Sequence, residues 1–219
     1  MEELESKEGM IKPVIIFGAG SLGKASLNIF EQNGVVVYGF LDDDESLHGT
    51  EIGEVPVLGS TEDHGFLKYI GKKCDAFVAF DEVTVRKNVV DMLKERRKVM
   101  PVNAFHHHIN SPGELVIGHG NLINAGVVIG THTTIGNHCL VHSGGIIEHE
   151  VSLGDFVQVG AGSVINSGVE VDEEVFIGSG VTVVSGIHVG KRARIGAGSV
   201  VIADVKEGET VFGNPAKPV

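Results

Sequence analysis

From Ile117 onward every sixth residue is aliphatic. Ile117, Ile123, Ile129, Ile135, Val141, Ile147, Leu153, Val159, Ile165, Val171, Ile177, Val183, Val189, Ile195 and Val201 are all Ile, Leu or Val, and no insertion breaks the series before Lys206. The residue that follows each of them is Gly, Asn or Asp in 11 of these 15 hexads. The fifth position is mostly small or β-branched, as at Val127, Thr133, Ser163, Val175 and Ser199. A period of six is neither the 3.6 of a helix nor the 2 of a strand. It predicts a parallel β-helix in which each hexad contributes one short strand and one corner, and three hexads close a triangular coil. Fifteen hexads predict five coils over residues 117–206. The aliphatic first position points to the axis, and the second position is read as a corner that tolerates unusual dihedrals. Both ends of such a coil expose strand edges and need covering. Residues 101–116 are therefore read as linker and cap, and residues 207–219 as a carboxy-terminal cap.

The first half follows another pattern. Val14–Phe17 is a short apolar run that leads into Gly18-Ala19-Gly20-Ser21-Leu22-Gly23. An amphipathic stretch, Lys24 to Gln32, stops at Asn33-Gly34, a helix-ending pair. Val35–Leu41 reads as a second strand ending in Asp42-Asp43-Asp44. Thr61 opens a predicted helix to Tyr69, Ala76–Phe80 is a third strand, and Glu82 to Lys98 a longer helix. Alternating strands and helices predict a Rossmann-like small parallel sheet over residues 11–100. Residues 1–10, polar and acidic, read as a disordered tail.

Composition narrows the function. The chain carries 31 Gly, no Trp and 5% aromatics, which fits many tight corners rather than a helical bundle. The formal net charge is -12, and the one basic run, Lys94 to Lys98, lies in a helical pattern as a solvated face, so a nucleic-acid partner is not expected. Cys74 and Cys139 have no metal-site or disulfide spacing. No signal peptide or membrane-spanning stretch appears, and the expected location is cytoplasmic. His106-His107-His108 falls in the linker and is read as wrapping the helix end. No metal is expected.

Several motifs point to one family. They are the glycine-rich turn at Gly18–Gly23, Phe40-Leu41-Asp42-Asp43, Pro56-Val57-Leu58-Gly59, Ile147-Glu148-His149-Glu150, and Gly213-Asn214-Pro215-Ala216-Lys217. With the hexad array they resemble the sialic acid O-acetyltransferase and UDP-amino-sugar N-acetyltransferase family of hexapeptide-repeat acyltransferases, over roughly residues 12–217. The resemblance implies a left-handed β-helix and a homotrimer. It also implies acetyl-CoA lying between neighbouring subunits, a nucleotide-sugar held by the first domain, and a catalytic pair at His149 and Glu150. Three positions depart from the family pattern: Leu22 and Gln158 where it has His, and Phe80 where it has Gly.

The chemistry supports the same corner. Attack on a thioester needs a deprotonated nucleophile, and His149 is the natural general base. Glu150 would orient the imidazole, Thr131 and Ser167 stack above and below His149, and His132 stacks on Glu150. His142 and Glu148 break the small-residue rule of the second position, as a grafted site would. Gln158, Ser167, Ser179 and Ala197 are the expected acetyl-CoA contacts. A strand, a glycine-rich turn and a helix offer amides to a phosphate, through Gly20, Ser21 and Leu22. Asp42 and Asp43, at the end of the second strand, are expected to meet the nucleoside. No acyl-enzyme nucleophile is evident, so direct transfer in a ternary complex is favoured. The expectation is N-acetylation of a nucleotide-linked amino sugar. The alternatives are O-acetylation of a sugar such as sialic acid, or a non-catalytic trimeric β-helix scaffold.

Overall fold

The computed structural model describes residues 11–112 and 115–219; the acidic segment at residues 1–10 lies outside them. The first domain is a five-stranded sheet. Its strands are β1 (Val14–Phe17), β2 (Val37–Leu41), β3 (Glu51–Ile52), β4 (Val55–Gly59) and β5 (Asp75–Val78), in the order β3-β4-β2-β1-β5. Neighbours run parallel except β3, which folds back on β4 as a hairpin. The wholly parallel sheet expected from sequence is corrected by that hairpin. β4 carries Pro56, which removes an amide from the ladder and hides the strand pattern. The helices are α1 (Ser21–Gln32), α2 (His64–Leu67) and α3 (Val83–Arg97). The helix expected from Thr61 starts three residues later. The amide and hydroxyl of Thr61 both donate to the Asp43 carboxylate, at 2.9 Å each, so Asp63 caps the helix instead through Gly65 N.

The second half consists of three parallel sheets of two-residue strands. One runs through Val116–Ile117, Thr134–Ile135, Ser152–Leu153, Glu170–Val171 and His188–Val189. The second passes through Leu122–Ile123, Leu140–Val141, Gln158–Val159, Phe176–Ile177 and Arg194–Ile195. The third joins Val128–Ile129, Ile146–Ile147, Val164–Ile165, Thr182–Val183 and Val200–Val201. Thr134 pairs with Ser152, Leu140 with Gln158 and Ile146 with Val164, so each strand meets its copy 18 residues on. The aliphatics from Ile123 to Val201 are buried along the axis, and Ile117 packs against that core from its open end.

The five-coil left-handed β-helix expected over residues 117–206 is corrected: the array is three parallel-stacked sheets of unequal size. Ala104–Phe105, read from sequence as linker, pairs parallel with Leu122–Ile123 and opens the second sheet. At the other end Thr210 and Val211 pair with Arg194 and Ile195, and Ala216–Pro218 folds back antiparallel to close the edge. The second sheet thus has eight strands and the other two have five each. Phe105 keeps the phase, 18 residues before Ile123, but Ser111 interrupts the aliphatic run between them; Thr210 and Val211, 16 residues from their partners, fall out of phase.

The corner geometry also corrects the role given to the second position. Left-handed dihedrals fall at the fourth position of the hexad, on glycines such as Gly144 (φ 69°) and on His132, His138, Glu150, Phe156, Glu174 and Arg192. Second-position glycines are needed for another reason. A Cβ on Gly154 or Gly178 would come within 2.7 or 2.6 Å of the backbone nitrogen of the next coil.

The two domains share a core. Leu122 and Leu140 project from the second sheet into the cluster around Val14, Ile16 and Phe77. Arg86 of α3 is buried, its Nη1 donating to Phe80 O (2.6 Å) and Asp81 O (3.0 Å), with its guanidinium 5.9 Å from the Phe156 ring. Burial lowers its pKa to about 10, which leaves it charged at neutral pH. The His138 ring lies 4.8 Å from that of Phe156, buried and with neither nitrogen hydrogen-bonded. Burial lowers its pKa from 6.5 to about 4, so the folded chain holds it neutral. The unfolded chain binds the extra proton between those two values. Stability from this group is therefore whole above about pH 6.5 and is lost progressively toward pH 4, by up to about 3 kcal/mol. In His138→Leu this part of the acid limb should be missing when urea midpoints are measured from pH 4 to 7. An unchanged limb would mean that carboxylates alone cause it.

Candidate functional site

The corner between Ile146–Ile147 and Ser152–Leu153 carries Glu148, His149 and Glu150. Its backbone is held on both sides: Glu148 N donates to Ile165 O, Glu150 N to Thr131 O, and Gly168 N to His149 O. Thr133 Oγ1 donates to Glu148 O at 2.8 Å. A Cβ on Gly130 would overlap the backbone of His149, so the coil below can only approach this closely as glycine. The chain is thus fixed while the imidazole stays exposed.

His149 Nδ1 lies 3.2 Å from Ser167 Oγ and 3.4 Å from Glu148 Oε2. Sequence reasoning gave the orienting role to Glu150. The structure puts Glu148 at the ring instead, and Glu150 occupies the left-handed corner (φ 60°) with an exposed side chain. With the Nδ1 proton directed to Glu148 or Ser167, the Nε2 lone pair faces outward and can accept a proton. Glu148 had a sequence signal of its own, because an acid at the second position breaks the small-residue rule there.

The expected acetyl-CoA contacts fall on two corners. Ser167 stacks directly beside His149. Ser179 and Ala197 stack on each other at a different corner, one that leads from the second sheet into the third, and both are exposed. Within one chain the third sheet lies between His149 and this column. Gln158 projects from the second sheet, its Nε2 3.1 Å from His142 Nε2, where burial lowers the His142 pKa. It lines a cavity of about 340 Å³ between the start of α3 and the coil, with Asp81, Val83, Arg86, Phe176 and Arg194. Sequence reasoning missed Arg86, His138 and Phe156, because contacts across the domain boundary leave no periodic trace.

In the first domain Gly20 and Ser21 stand exposed at the start of α1, where no side chain caps the helix. Leu22 is 5% exposed with its side chain in the hydrophobic core, so the group it can offer a ligand is its backbone amide. Asp42 Oδ2 accepts from Ala19 N at 2.7 Å and Oδ1 from Asp44 N at 2.9 Å. Asp43 is tied to Thr61. These carboxylates shape the turns at the carboxyl ends of β1, β2 and β4. Asp42→Ala should therefore loosen the glycine-rich turn, lowering the melting temperature by a few degrees as well as weakening nucleotide-sugar binding measured by calorimetry. Lost binding with an unchanged melting curve would mean that Asp42 acts on the ligand alone.

Comparison with known proteins now adds to this geometry. The family model of the PglD N-terminal domain matches residues 13–93. The chain is similar in structure to PerB from Caulobacter crescentus, solved with CoA and GDP-perosamine, at 27% identity and a TM-score of 0.87 over 95% of this chain and 98% of that one. It is also similar to the acetyltransferase domain of PglB from Neisseria gonorrhoeae, solved with acetyl coenzyme A. That match has 25% identity and a TM-score of 0.87 over 95% of this chain and 99% of that one. WeeI from Acinetobacter baumannii matches at 25% identity and a TM-score of 0.85, over 94% and 99% of the two chains. No curated protein sequence matches the chain. These findings correct the resemblance drawn from sequence. The family match covers the first domain alone, not residues 12–217, and PerB was solved with GDP-perosamine rather than a UDP-sugar or a sialic acid. Among the described residues no helix is long and apolar enough to cross a membrane.

Proposed function

We propose that this protein is an acetyl-CoA-dependent N-acetyltransferase acting on a nucleotide-linked amino sugar. The observation that carries this reading is the likeness over 95% of the chain to PerB, whose complex holds both CoA and GDP-perosamine. The exposed His149, braced by Glu148 and Ser167, supplies a base of the kind this chemistry needs. The sugar amine attacks the thioester carbonyl, forming the C–N bond. The carbon–sulfur bond breaks, and the amine proton passes to His149 Nε2 and from there to the departing CoA thiolate. Direct transfer is favoured because the one hydroxyl beside the base, Ser167 Oγ, meets Nδ1, the nitrogen that braces the ring, and not the Nε2 that takes the amine proton. The test is acetyl-CoA consumption against a panel of GDP-, UDP- and dTDP-linked amino sugars, with mass detection of the product. Turnover of no amino sugar, or of hydroxyl acceptors only, would overturn the proposal.

The working form in this reading is a closed homotrimer. His149 and the Ser179–Ala197 column lie at opposite edges of the third sheet, so side-by-side packing is what would bring one subunit's base to the next subunit's donor groove. The outward side chains of that sheet support such packing: Val128, Ile146, Val164, Thr182 and Val200 form an apolar, β-branched stripe. The corresponding stripe of the first sheet starts at the exposed Val116 but continues with Thr134, Ser152, Glu170 and His188, all polar and exposed. Cyclic closure removes one sticky face per subunit. Ile146→Glu combined with Val164→Glu should give a folded monomer by light scattering and circular dichroism, with activity lost. A monomer of near-normal activity would exclude a donor site shared between subunits.

A further inference from the structure

We propose that His106, His107 and His108 form a binding site for a borderline divalent metal such as Zn²⁺ or Ni²⁺, apart from the acetyl-transfer corner. The sequence pattern had given these residues only a wrapping role. Their geometry points elsewhere. One ring nitrogen from each lies within 4.8 Å of the others, which side-chain rotation can bring onto one ion. The rings already pack together, with centroids 4.5 Å apart for His106–His107 and 4.0 Å for His107–His108. Three imidazoles gathered without a carboxylate among them suit a metal that prefers nitrogen donors.

The backbone beneath the cluster is rigid. His106 N donates to Ile123 O, Gly126 N to His108 O, and Asn33 at the end of α1 donates through Nδ2 to Phe105 O at 2.7 Å. The segment is therefore pinned to the first coil and to the first domain at once. His106 Nδ1 accepts from His108 N at 3.0 Å, so its lone pair already faces the cluster. Ligation through Nδ1 would replace that bond, while the exposed His107 and His108 need only turn their rings. Each ligand nitrogen displaces a water from the hydrated ion, and no redox change is involved. An ion here would fasten the junction of the two domains.

The full-length chain, stripped with a chelator, is titrated with NiCl₂ or ZnCl₂ by calorimetry. One site per chain is expected, with the melting temperature raised by metal. His107→Ala with His108→Ala should lower affinity about tenfold or more and abolish the metal-dependent rise, while acetyl transfer without metal stays unchanged. His119→Ala, which removes another exposed histidine, should bind as the parent does. If the double variant folds less well, His107→Gln alone should still weaken binding. Absence of binding to the parent chain, or equal binding by parent and His107 variants, would overturn the site.

Discussion

His149→Ala is expected to cut kcat by about 10²–10⁴, the usual worth of a positioned general base, while acetyl-CoA still binds. The ring is exposed, and no element of the coil depends on it for packing. The backbone at the corner is held by Thr131, Ile165 and Gly168 rather than by the side chain. The loss should therefore appear in the chemical step and not in the melting curve. The two neighbouring acids separate the possible supports. Glu148 Oε2 is 3.4 Å from Nδ1, so Glu148→Gln should lower kcat, whereas Glu150→Gln should cost less. The reverse order would mean that the ring turns toward Glu150 when substrates bind. A His149 variant with a near-normal rate would remove the base from the mechanism, and His132, in the next coil below Glu150, would be the residue to examine.

How far the sequence could be read depends on the range of the contacts. The aliphatic run from Ile123 to Val201 follows from a purely local repeat, because every coil meets the same surroundings as the one before it. The ends do not. Ala104–Phe105 and Thr210–Gly213 join the second sheet through pairing with an existing edge, which needs no aliphatic series of its own. The hairpin of β3 and β4 was hidden by Pro56, and the start of α2 by the claim of Asp43 on Thr61. Both are tertiary contacts that override local preference.

The candidate site divides in the same way. His149 stood out because a histidine at an exposed corner has no structural task there. Its partner was assigned by sequence adjacency on the wrong side: at a corner where Glu150 takes a left-handed dihedral, the side chain that returns toward the ring is Glu148. Leu22 was chosen by its place in the glycine-rich turn; its side chain falls on the inner face of the first turn of α1, so any part it plays there falls to its backbone amide. Glycines invited a single explanation and needed two. At the fourth position they supply a left-handed dihedral that six non-glycine residues also adopt, whereas at the second they keep Cβ out of the next coil's backbone.

Val159→Asp should unfold the coil. Val159 has no exposed surface and lies on the axis, paired with Val141 below and Ile177 above. The new carboxylate would have apolar neighbours on every side and no cation within the core cluster. Burying such a charge without a partner costs several kcal/mol, roughly, against a total stability of about 5–15 kcal/mol for an ordinary domain. Because each coil packs only on the next, the damage should spread to both ends of the axis rather than stay at one corner. The first domain shares its core with Leu122 and Leu140, so its own transition should move with that of the coil. Circular dichroism and urea unfolding check this, with Ser152→Asp as the control. Ser152 faces outward on the first sheet and is exposed, so an acid there should shift the midpoint little. A cooperative, near-normal transition in Val159→Asp would mean that this position does not face the axis, and the six-residue register of the coil would have to be redrawn.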